Sequence, residues 1–338
     1  SLKTTSVKKN LTTLGYVTIN NTHPFSKGKN GFQVSPKLQE LMVYSAQSDS
    51  YENCNEVLEK YINIKVSATQ VWRVANVYGE EIGKTISEEV VLTPCKKDEV
   101  VYGMADGCMV FTREESWKEV KVGRIFKSSS CIHAGDKPGW ISNSQYLAYL
   151  DTHKRFTTEM EKLLDHYSQS GQPIVFISDG APWIKNWIAD AYPQVISVLD
   201  FYHASEHLHD YAKAEIKDEI RRKEWVDEHV ELLLNGEVQK IIDELSSLSV
   251  ISEQARQLMD YYESNKTRMD YPLYKKLGAG IIGSGAIESV VQKRLKQSGQ
   301  RWSRKGAQNM LYLRVTKKNN QWSKIVELTK KEFCNAAA

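Results

Sequence analysis

The sequence has few cysteines and no long apolar run, and each shortage excludes a class of protein. Its five cysteines are scattered without a C-x-x-C pair, so the chain indicates neither a zinc ribbon nor a disulfide framework, and it suits a reducing compartment. No apolar stretch approaches the roughly 18 residues that span a bilayer, and no charged-then-apolar leader is visible. We therefore expect a cytoplasmic protein without a membrane segment.

One sign of charge is missing from a late segment of the chain. The net charge is only +3 over 338 residues, but residues 293–318 are rich in Lys and Arg and contain no Asp or Glu. Such a block predicts a surface that binds phosphate groups, with a solvated basic helix face as the alternative. The residues assigned to this DNA-binding surface are Lys293, Arg294, Lys296, Arg301, Trp302, Arg304 and Lys305. For Trp302, stacking on an unpaired base and burial against a sheet both stay open.

Near the N-terminus, three segments have helical periodicity. A helix begins at Pro36, a second covers Tyr51–Tyr61, and a third covers Ala68–Ile82 with Ser67 as its N-cap. Two short helices, a tight turn and a third helix are typical of a helix-turn-helix, although many small helical bundles have the same pattern. We assign residues 1–95 to an N-terminal region whose helices, at about 36–82, are helix-turn-helix-like and bind DNA.

In the middle of the chain, two apolar runs each end at an acid. Ile174–Ile177 is followed by Asp179-Gly180, and Val195–Leu199 is followed by Asp200, with a short helical pattern from Pro182 between them. Strand, acid, helix, strand, acid is an α/β unit that brings two carboxylates to the same edge of a sheet. Ligands and metals gather at that edge in open α/β sheets.

The residues before Ile174, from Val100 onward, are rich in β-strand patterns. In order, the predicted elements are a strand Val100–Met104, its antiparallel partner Cys108–Phe111, a half-exposed strand Glu119–Phe126, a further strand at Ser130–Ala134 and a long helix Ser144–His166. Asp106 falls between the first two strands. Three strands followed by alternating helices and strands predict an RNase H-like mixed sheet, because right-handed crossovers permit few other arrangements.

The alternation is interrupted before the last predicted acid. Residues 205–277 are almost wholly helical in pattern and predict an all-α insertion. A glycine cluster at 278–285 then returns the chain to the sheet, and a helix near Ala286 carries Glu288 in its first turn. We assign residues 96–204 and 278–318 to the catalytic domain and residues 319–338 to a C-terminal tail.

Asp106, Asp179 and Glu288 are the predicted catalytic residues and metal ligands. Two acids on adjacent strand ends and a third on a later helix can hold two Mg²⁺ ions, which prefer hard oxygen ligands. Such a pair of ions catalyses in-line phosphoryl transfer. The alternative for each Asp-Gly pair is an ordinary turn.

Several segments resemble DDE transposases of bacterial insertion sequences, of the ISKra-like group, in an order that covers residues from about 35 to 315. These segments are MADGCMVFTREESWKEVKVGRIF, FISDGAPWI, LDFYHASEHL, YYESNKTRMDY, IGSGAIES and QKRLKQSGQRWSRKGAQNMLYLR. The resemblance implies an RNase H-like catalytic domain in which Asp106, Asp179 and Glu288 bind two Mg²⁺ ions, with Mn²⁺ as a substitute. It also implies a D-x-x-H element, Asp200 and His203, that supports the site.

The resemblance further implies the partners of the protein and its reaction. These are double-stranded DNA, both transposon ends and target DNA, and a second copy of the chain in a homodimer or higher oligomer on DNA, associated with the bacterial nucleoid. The reaction is hydrolysis at the transposon ends followed by strand transfer. In that group, a few more residues separate the glutamate from the Q-x-R-L-K segment than Glu288 and Gln292 allow. A shorter spacing rotates Arg294 and Lys296 around the helix relative to Glu288.

Two other functions stay open at this point. The first is a DNA-binding protein of the same ancestry that no longer cuts DNA. The second is a zinc metallohydrolase, because His203, Glu206 and His207 fit the H-x-x-E-H pattern of inverted zinc proteases, with two histidines one helical turn apart and a glutamate base.

Overall fold

The structure is a computed structural model that describes residues 7–20, 23, 28–86, 94–96, 99–134, 137–150, 152–276 and 288–332. The predicted glycine cluster at 278–285 lies outside the described residues. A hairpin of β1 (Val7–Thr12) and β2 (Gly15–Asn20) comes first. In the part of the chain that the structure describes, no helix is long and apolar enough to cross a membrane.

The three predicted N-terminal helices are confirmed. They are α1 (Pro36–Ala46), α2 (Tyr51–Ile62) and α3 (Ala68–Thr85). A serine precedes each helix, and its hydroxyl accepts a hydrogen bond from the backbone N–H three residues later. These caps satisfy N–H groups that have no partner within the helix, so each start is encoded locally.

The central sheet is mixed and has five strands. They are β3 (Val101–Thr112), β4 (Ser116–Lys127), β7 (Gln145–Tyr149), β8 (Ile174–Ser178) and β9 (Ile196–Leu199), in the spatial order β7-β4-β3-β8-β9. β3 pairs antiparallel with β4, and β4 pairs antiparallel with β7. On the other side, β8 is parallel to both β3 and β9. The predicted mixed α/β class is therefore confirmed.

Two predicted strand and helix assignments were wrong. Asp106-Gly107 is not a turn, because β3 runs through it and pairs with β4 along its whole length. Gln145–Tyr149, predicted as part of a helix, is an edge strand, and the backbone N–H of Tyr146 donates to Asn319 Oδ1 at 2.7 Å. The predicted strand at Ser130–Ala134 is confirmed as β5 (Cys131–Ala134), which pairs with β6 (Lys137–Ile141) in a two-stranded sheet separate from the central one.

Helices cover both faces of the sheet and form the predicted insertion. Along the sheet they are α4 (His153–Gln169) and α5 (Pro182–Ala191). The helical segment after β9 consists of α6 (Phe201–Glu215), α7 (Glu219–Leu234), α8 (Val238–Ser246), α9 (Glu253–Asn265), a 3₁₀ turn (Lys266–Arg268) and α10 (Tyr271–Lys276). The helical character predicted for residues 205–277 is confirmed over the residues described.

The last part of the chain returns to the sheet and joins it to the N-terminal helices. It consists of a π-helical turn (Glu288–Gln292), α11 (Lys293–Leu295), α12 (Arg304–Lys318) and α13 (Trp322–Lys330). Most of α12 is buried, and one apolar core includes residues of α1–α3, α12 and the sheet. The helix-turn-helix-like segment therefore shares its core with the sheet. The predicted tail contains α13, in which the Trp322 indole donates to Glu40 at 2.7 Å.

Candidate active site

The strand register brings three aspartates into one row. Ala105 of β3 is level with Ser178 of β8, and Ser178 is level with Leu199 of β9. The next residues are Asp106, Asp179 and Asp200, so the three acids follow the same level of three adjacent strands. Neighbouring strands lie about 4.8 Å apart, and the Asp200 N–H donates to the Ser178 carbonyl at 2.8 Å. The sheet thus places these three residues next to one another at one edge.

Each aspartate is oriented by a backbone N–H close to it in the chain. One carboxylate oxygen of Asp106 accepts from Gly107 at 2.7 Å, and one of Asp179 accepts from Ala181 at 3.0 Å. The carboxylate of Asp200 accepts from the Tyr202 N–H at 2.8 Å and caps α6. Asp200 is only 1% exposed. It therefore fixes the start of the helix that carries the next residue of the site.

His203 lies over the row of acids. Its Nε2 is 3.9 Å from Asp106 Oδ2, and its Nδ1 is 3.6 Å from Glu206 Oε2. The interaction with Asp106 raises the pKa of His203 to about 9, against the opposing effect of burial. The imidazole is therefore cationic at neutral pH and offsets part of the negative charge of the row.

The electrostatic state of Asp179 reflects its burial and its neighbour. Burial raises the pKa of the Asp179 carboxyl, and the negative charge of Asp106 raises it further, while the Ala181 N–H, His203 and Arg268 act in the opposite direction. Two carboxylates that repel each other in a partly buried site are typical of positions that receive a cation.

Arg268 is a residue of this site that the sequence analysis missed. It is 4% exposed and lies in the 3₁₀ turn after α9. Its guanidinium donates to the Ser178 hydroxyl at 2.7 Å and to the Val198 carbonyl at 3.2 Å, and it reaches the Asp179 carbonyl at 3.3 Å. An arginine of the helical insertion therefore ties together the ends of β8 and β9. Its only sequence signal was its place in the YYESNKTRMDY segment.

Tyr261 is a second residue without an assigned role in the sequence analysis. An added Cβ at Gly180 would lie 2.2 Å from its ring, so the ring closely covers the backbone next to Asp179. The Tyr261 ring also packs on the imidazole of His207, with 3.9 Å between centroids. Burial and the charge of Asp179 raise the pKa of its phenol. The insertion therefore forms one wall of the acidic site.

The third predicted acid is described only through its backbone. Glu288 begins the π-helical turn, and its side chain lies outside the described residues. The turn itself is held by Arg314, whose guanidinium donates to the carbonyls of Ser289 and of Val290, the latter at 3.1 Å. Among the described residues, no group of three His, Cys, Asp or Glu side chains could hold a metal ion. The convergence of Glu288 with Asp106 and Asp179 stays a prediction.

The histidines of the zinc alternative face different neighbours. His203 faces Asp106, whereas His207 packs on Tyr261. Burial lowers the pKa of His207. Nothing in these contacts directs the two imidazoles to a common point, and the zinc site stays a prediction without support from their geometry.

Two residues predicted to bind DNA are buried, and this prediction is wrong for them. Arg294 is 0% exposed, and its guanidinium donates to the Ala46 carbonyl at 2.7 Å and lies over the Trp302 ring. Trp302 is 5% exposed, and its indole N–H donates to the Leu295 carbonyl at 3.1 Å. Both side chains join α11 to the N-terminal helices, and neither is available to a ligand.

The other five residues of the predicted DNA-binding surface are exposed: Lys293, Lys296, Arg301, Arg304 and Lys305. Two of them make ion pairs within the chain, since Arg304 lies 2.7 Å from Glu115 and Lys305 lies 2.7 Å from Glu80. Exposed pairs of this kind are weak, so both cations remain accessible. Their binding to DNA stays a prediction.

Comparisons with known proteins place the chain in a family. Over 298 residues it is 22% identical to a protein of Streptococcus gallolyticus named "UPF0236 protein in vanSb 3'region", a match that covers 84% of this chain. The chain spans 64% of the length of that relative. Residues 27–332 match UPF0236, which is described as an uncharacterised protein family. This match takes in all of the central sheet and the whole row of aspartates, and the chain belongs to the UPF0236 family.

Proposed function

We propose that this protein is a DDE transposase with an RNase H-like catalytic domain, which cuts DNA at transposon ends and transfers the freed strand to target DNA. The observation that carries the proposal is the register of Asp106 and Asp179, which follow the same level of two parallel strands. The strand order β7-β4-β3-β8-β9 supports it, because three antiparallel strands and two parallel ones are the arrangement expected of an RNase H-like sheet. The helical insertion before Glu288 is a further support.

The residues present suit a divalent metal. Asp106 and Asp179 offer hard oxygen ligands, and burial raises the pKa of the Asp179 carboxyl, with the negative charge of Asp106 raising it further. Asp106, Asp179 and Glu288 would hold two Mg²⁺ ions, or Mn²⁺ in their place. When bound, the ions activate the attacking oxygen and stabilise the leaving oxygen of an in-line phosphoryl transfer.

The other residues of the chain position this acidic site. Arg268 fixes the strand ends that precede Asp179 and Asp200 through its contacts with Ser178 and Val198. Asp200 caps α6 and so orients His203 toward Asp106. Exposed cations after Glu288 would hold the DNA backbone, and a dimer or higher oligomer would bring two transposon ends together.

The test is a cleavage and strand-transfer assay on DNA that flanks the gene, with Mg²⁺, Mn²⁺ or EDTA. We expect Asp106→Asn, Asp179→Asn and Glu288→Gln each to lower the rate about a thousandfold, because metal stabilisation of the transition state is worth several kcal/mol. Asp190→Asn is the matched control, since Asp190 is exposed on α5. Titration with Mn²⁺, followed by its paramagnetic resonance, reports metal binding separately.

The outcomes distinguish the proposal from its alternatives. Binding of flanking DNA without cleavage in either metal would contradict the transposase and favour the DNA-binding protein that no longer cuts. Stoichiometric zinc, with an activity indifferent to Asp106→Asn and abolished by His207→Ala, would favour the metallohydrolase.

A further inference from the structure

A cavity of about 420 Å³ lies beside the sheet, between the edge strand β7 and the C-terminal end of α12. Four cationic side chains line it, those of Lys293, Arg314, Lys317 and Lys318, together with Ser142 and Ser144. Among its described lining residues there is no carboxylate. A concave site with one sign of charge and a hydroxyl donor suits an anion with several oxygen atoms.

The cations of this cavity are close enough to repel one another. Burial lowers the pKa of Lys318, and the positive charges of Arg314, Lys293 and Arg124 lower it further. Two of the cations are held by other contacts. Arg314 donates to Gln47 through the carbonyl and the side chain, both at 2.9 Å, and the Lys317 ammonium lies 4.5 Å from the centre of the Tyr44 ring. Lys293 and Lys318 form no ion pair among the described residues. Their charge is therefore available to a ligand.

The cavity opens on the same face of the sheet as Asp106. Tyr146, another of its lining residues, is paired with Arg124, and Arg124 is paired with Met104, two residues before Asp106 on the same strand. Side chains at paired positions, and at alternate positions of one strand, share a face. The cavity edge is thus two strands from β3, or roughly 10 Å. Arg314 also holds the turn that begins at Glu288.

We propose that this cavity binds phosphate groups of a nucleic-acid backbone beside the acidic row. Lys293 and Lys318 supply charge, and Arg314 fixes the wall. The Ser144 hydroxyl accepts from Arg124 and keeps its own O–H to donate, whereas the Ser142 hydroxyl donates to the Ser130 carbonyl. The assignment to nucleic acid, as opposed to a free phosphate, rests on the proposed function. The structure brings together residues from β6, the loop before β7, α11 and α12, which no single segment of the sequence contains.

The test is the salt dependence of DNA binding by the double variant Lys293→Gln and Lys318→Gln. Fluorescence anisotropy with a labelled 30-base-pair duplex of flanking DNA, in EDTA, measures binding without any cleavage. We expect the slope of log K against log salt to become shallower by about 1.8, since each phosphate contact to duplex DNA contributes about 0.9. At 0.1 M salt this corresponds to a loss of up to about eightfold in affinity for each lysine.

The matched control is the double variant Lys162→Gln and Lys240→Gln, which removes the same charge from exposed positions on α4 and α8. Circular dichroism and the melting temperature verify that both double variants fold, and Lys293→Gln alone, at an exposed position, gives about half the effect. A slope equal to that of the control would overturn the proposal. The proposal also fails if inorganic phosphate raises the melting temperature of the wild type but not of the Lys293 and Lys318 double variant, while the salt slope of DNA binding is the same for both. The cavity would then be a site for small anions.

These results separate the inference from the proposed function. A shallower slope without DNA cleavage would keep the phosphate site and remove the transposase. Cleavage with an unchanged slope would keep the transposase and remove the phosphate site.

Discussion

Replacement of Arg268 by methionine tests whether the helical insertion holds the acidic row in place. The guanidinium spans the ends of β8 and β9, with donors to Ser178, Asp179 and Val198 and a further bond to Asn265 at 3.1 Å. Methionine has a similar length and no donor, so the variant fills the space and removes only the polar contacts.

The size of the effect follows from two opposing contributions. A buried acceptor that loses its donor costs about 1–3 kcal/mol, and we count two such acceptors, Asn265 Oδ1 and the Val198 carbonyl. The Ser178 hydroxyl keeps its bond to the Asp179 carbonyl. The Ser178 carbonyl keeps its bond from the Asp200 N–H. In the other direction, methionine avoids the cost of burying a charge whose Nε has no hydrogen-bond partner among the described residues. We therefore expect the free energy of unfolding to fall by about 2–4 kcal/mol.

Urea denaturation, followed by circular dichroism, measures this loss, and Mn²⁺ titration measures the consequence for the site. We expect weaker Mn²⁺ binding in the variant, because Asp179 directly follows the strand end that Arg268 holds. Arg268→Lys should be intermediate, since one ammonium cannot span the same set of acceptors. Arg256→Met is the control. That arginine lies on α9 with its side chain 61% exposed and forms an ion pair with Glu253, so a change below about 0.5 kcal/mol is expected.

A stability of Arg268→Met within about 0.5 kcal/mol of wild type, together with unchanged Mn²⁺ binding, would refute the reasoning. A loss of stability with normal Mn²⁺ affinity would leave Arg268 as a purely structural residue.

Three further predictions concern the same site. In EDTA, protonated His203 stabilises the fold below about pH 6.5, and this stability is lost as pH rises through about 9. The free energy of unfolding, measured by urea denaturation, should fall by about 1 kcal/mol less between pH 6 and 10 in His203→Asn than in the wild type, a value discounted for solvent screening. Parallel pH curves for the two proteins would contradict this. Because burial and the charge of Asp106 raise the pKa of Asp179, its charge is destabilising without metal. Asp179→Asn should therefore raise the free energy of unfolding at pH 7, and the gain should shrink as pH falls. An equal gain at every pH would count against it. Gly180→Ala should lower the free energy of unfolding by more than about 1 kcal/mol, because the added methyl group would overlap the Tyr261 ring. In the double variant with Tyr261→Ala this loss should be smaller. Strictly additive losses in urea denaturation would show that the two residues are not in contact.

The parts of the fold that the sequence predicted correctly are those whose signals are local. Helices α1–α3 begin at serine caps and repeat their apolar residues at helical spacing, so their bounds follow from a few neighbouring residues. The apolar runs that became β8 and β9 were recognised for the same reason, together with the acids that follow them.

The errors fall where distant residues decide the local structure. Gln145–Tyr149 is a strand because it pairs with the edge of β4 and because the backbone N–H of Tyr146 donates to the Asn319 side chain. Asp106-Gly107 has the composition of a turn, yet β4 pairs along both sides of it. A basic block looks like a surface in the sequence, but Arg294 and Arg314 are buried because backbone carbonyls of α1 and the π-helical turn accept their hydrogen bonds.

By itself, the sequence determined the residue types of the site, namely aspartates that follow apolar strands, a glutamate and a basic block. It also determined the helical insertion before the glutamate. Only the tertiary structure decided that Asp106, Asp179 and Asp200 follow one level of three strands, since register depends on pairing between segments about 70 and 20 residues apart in the chain. It also brought Arg268 and Tyr261 from the insertion to that row, and Lys293 and Lys318 to one cavity. These contacts depend on how elements that are distant in the chain pack together, and a single sequence carries no periodic signal for that packing.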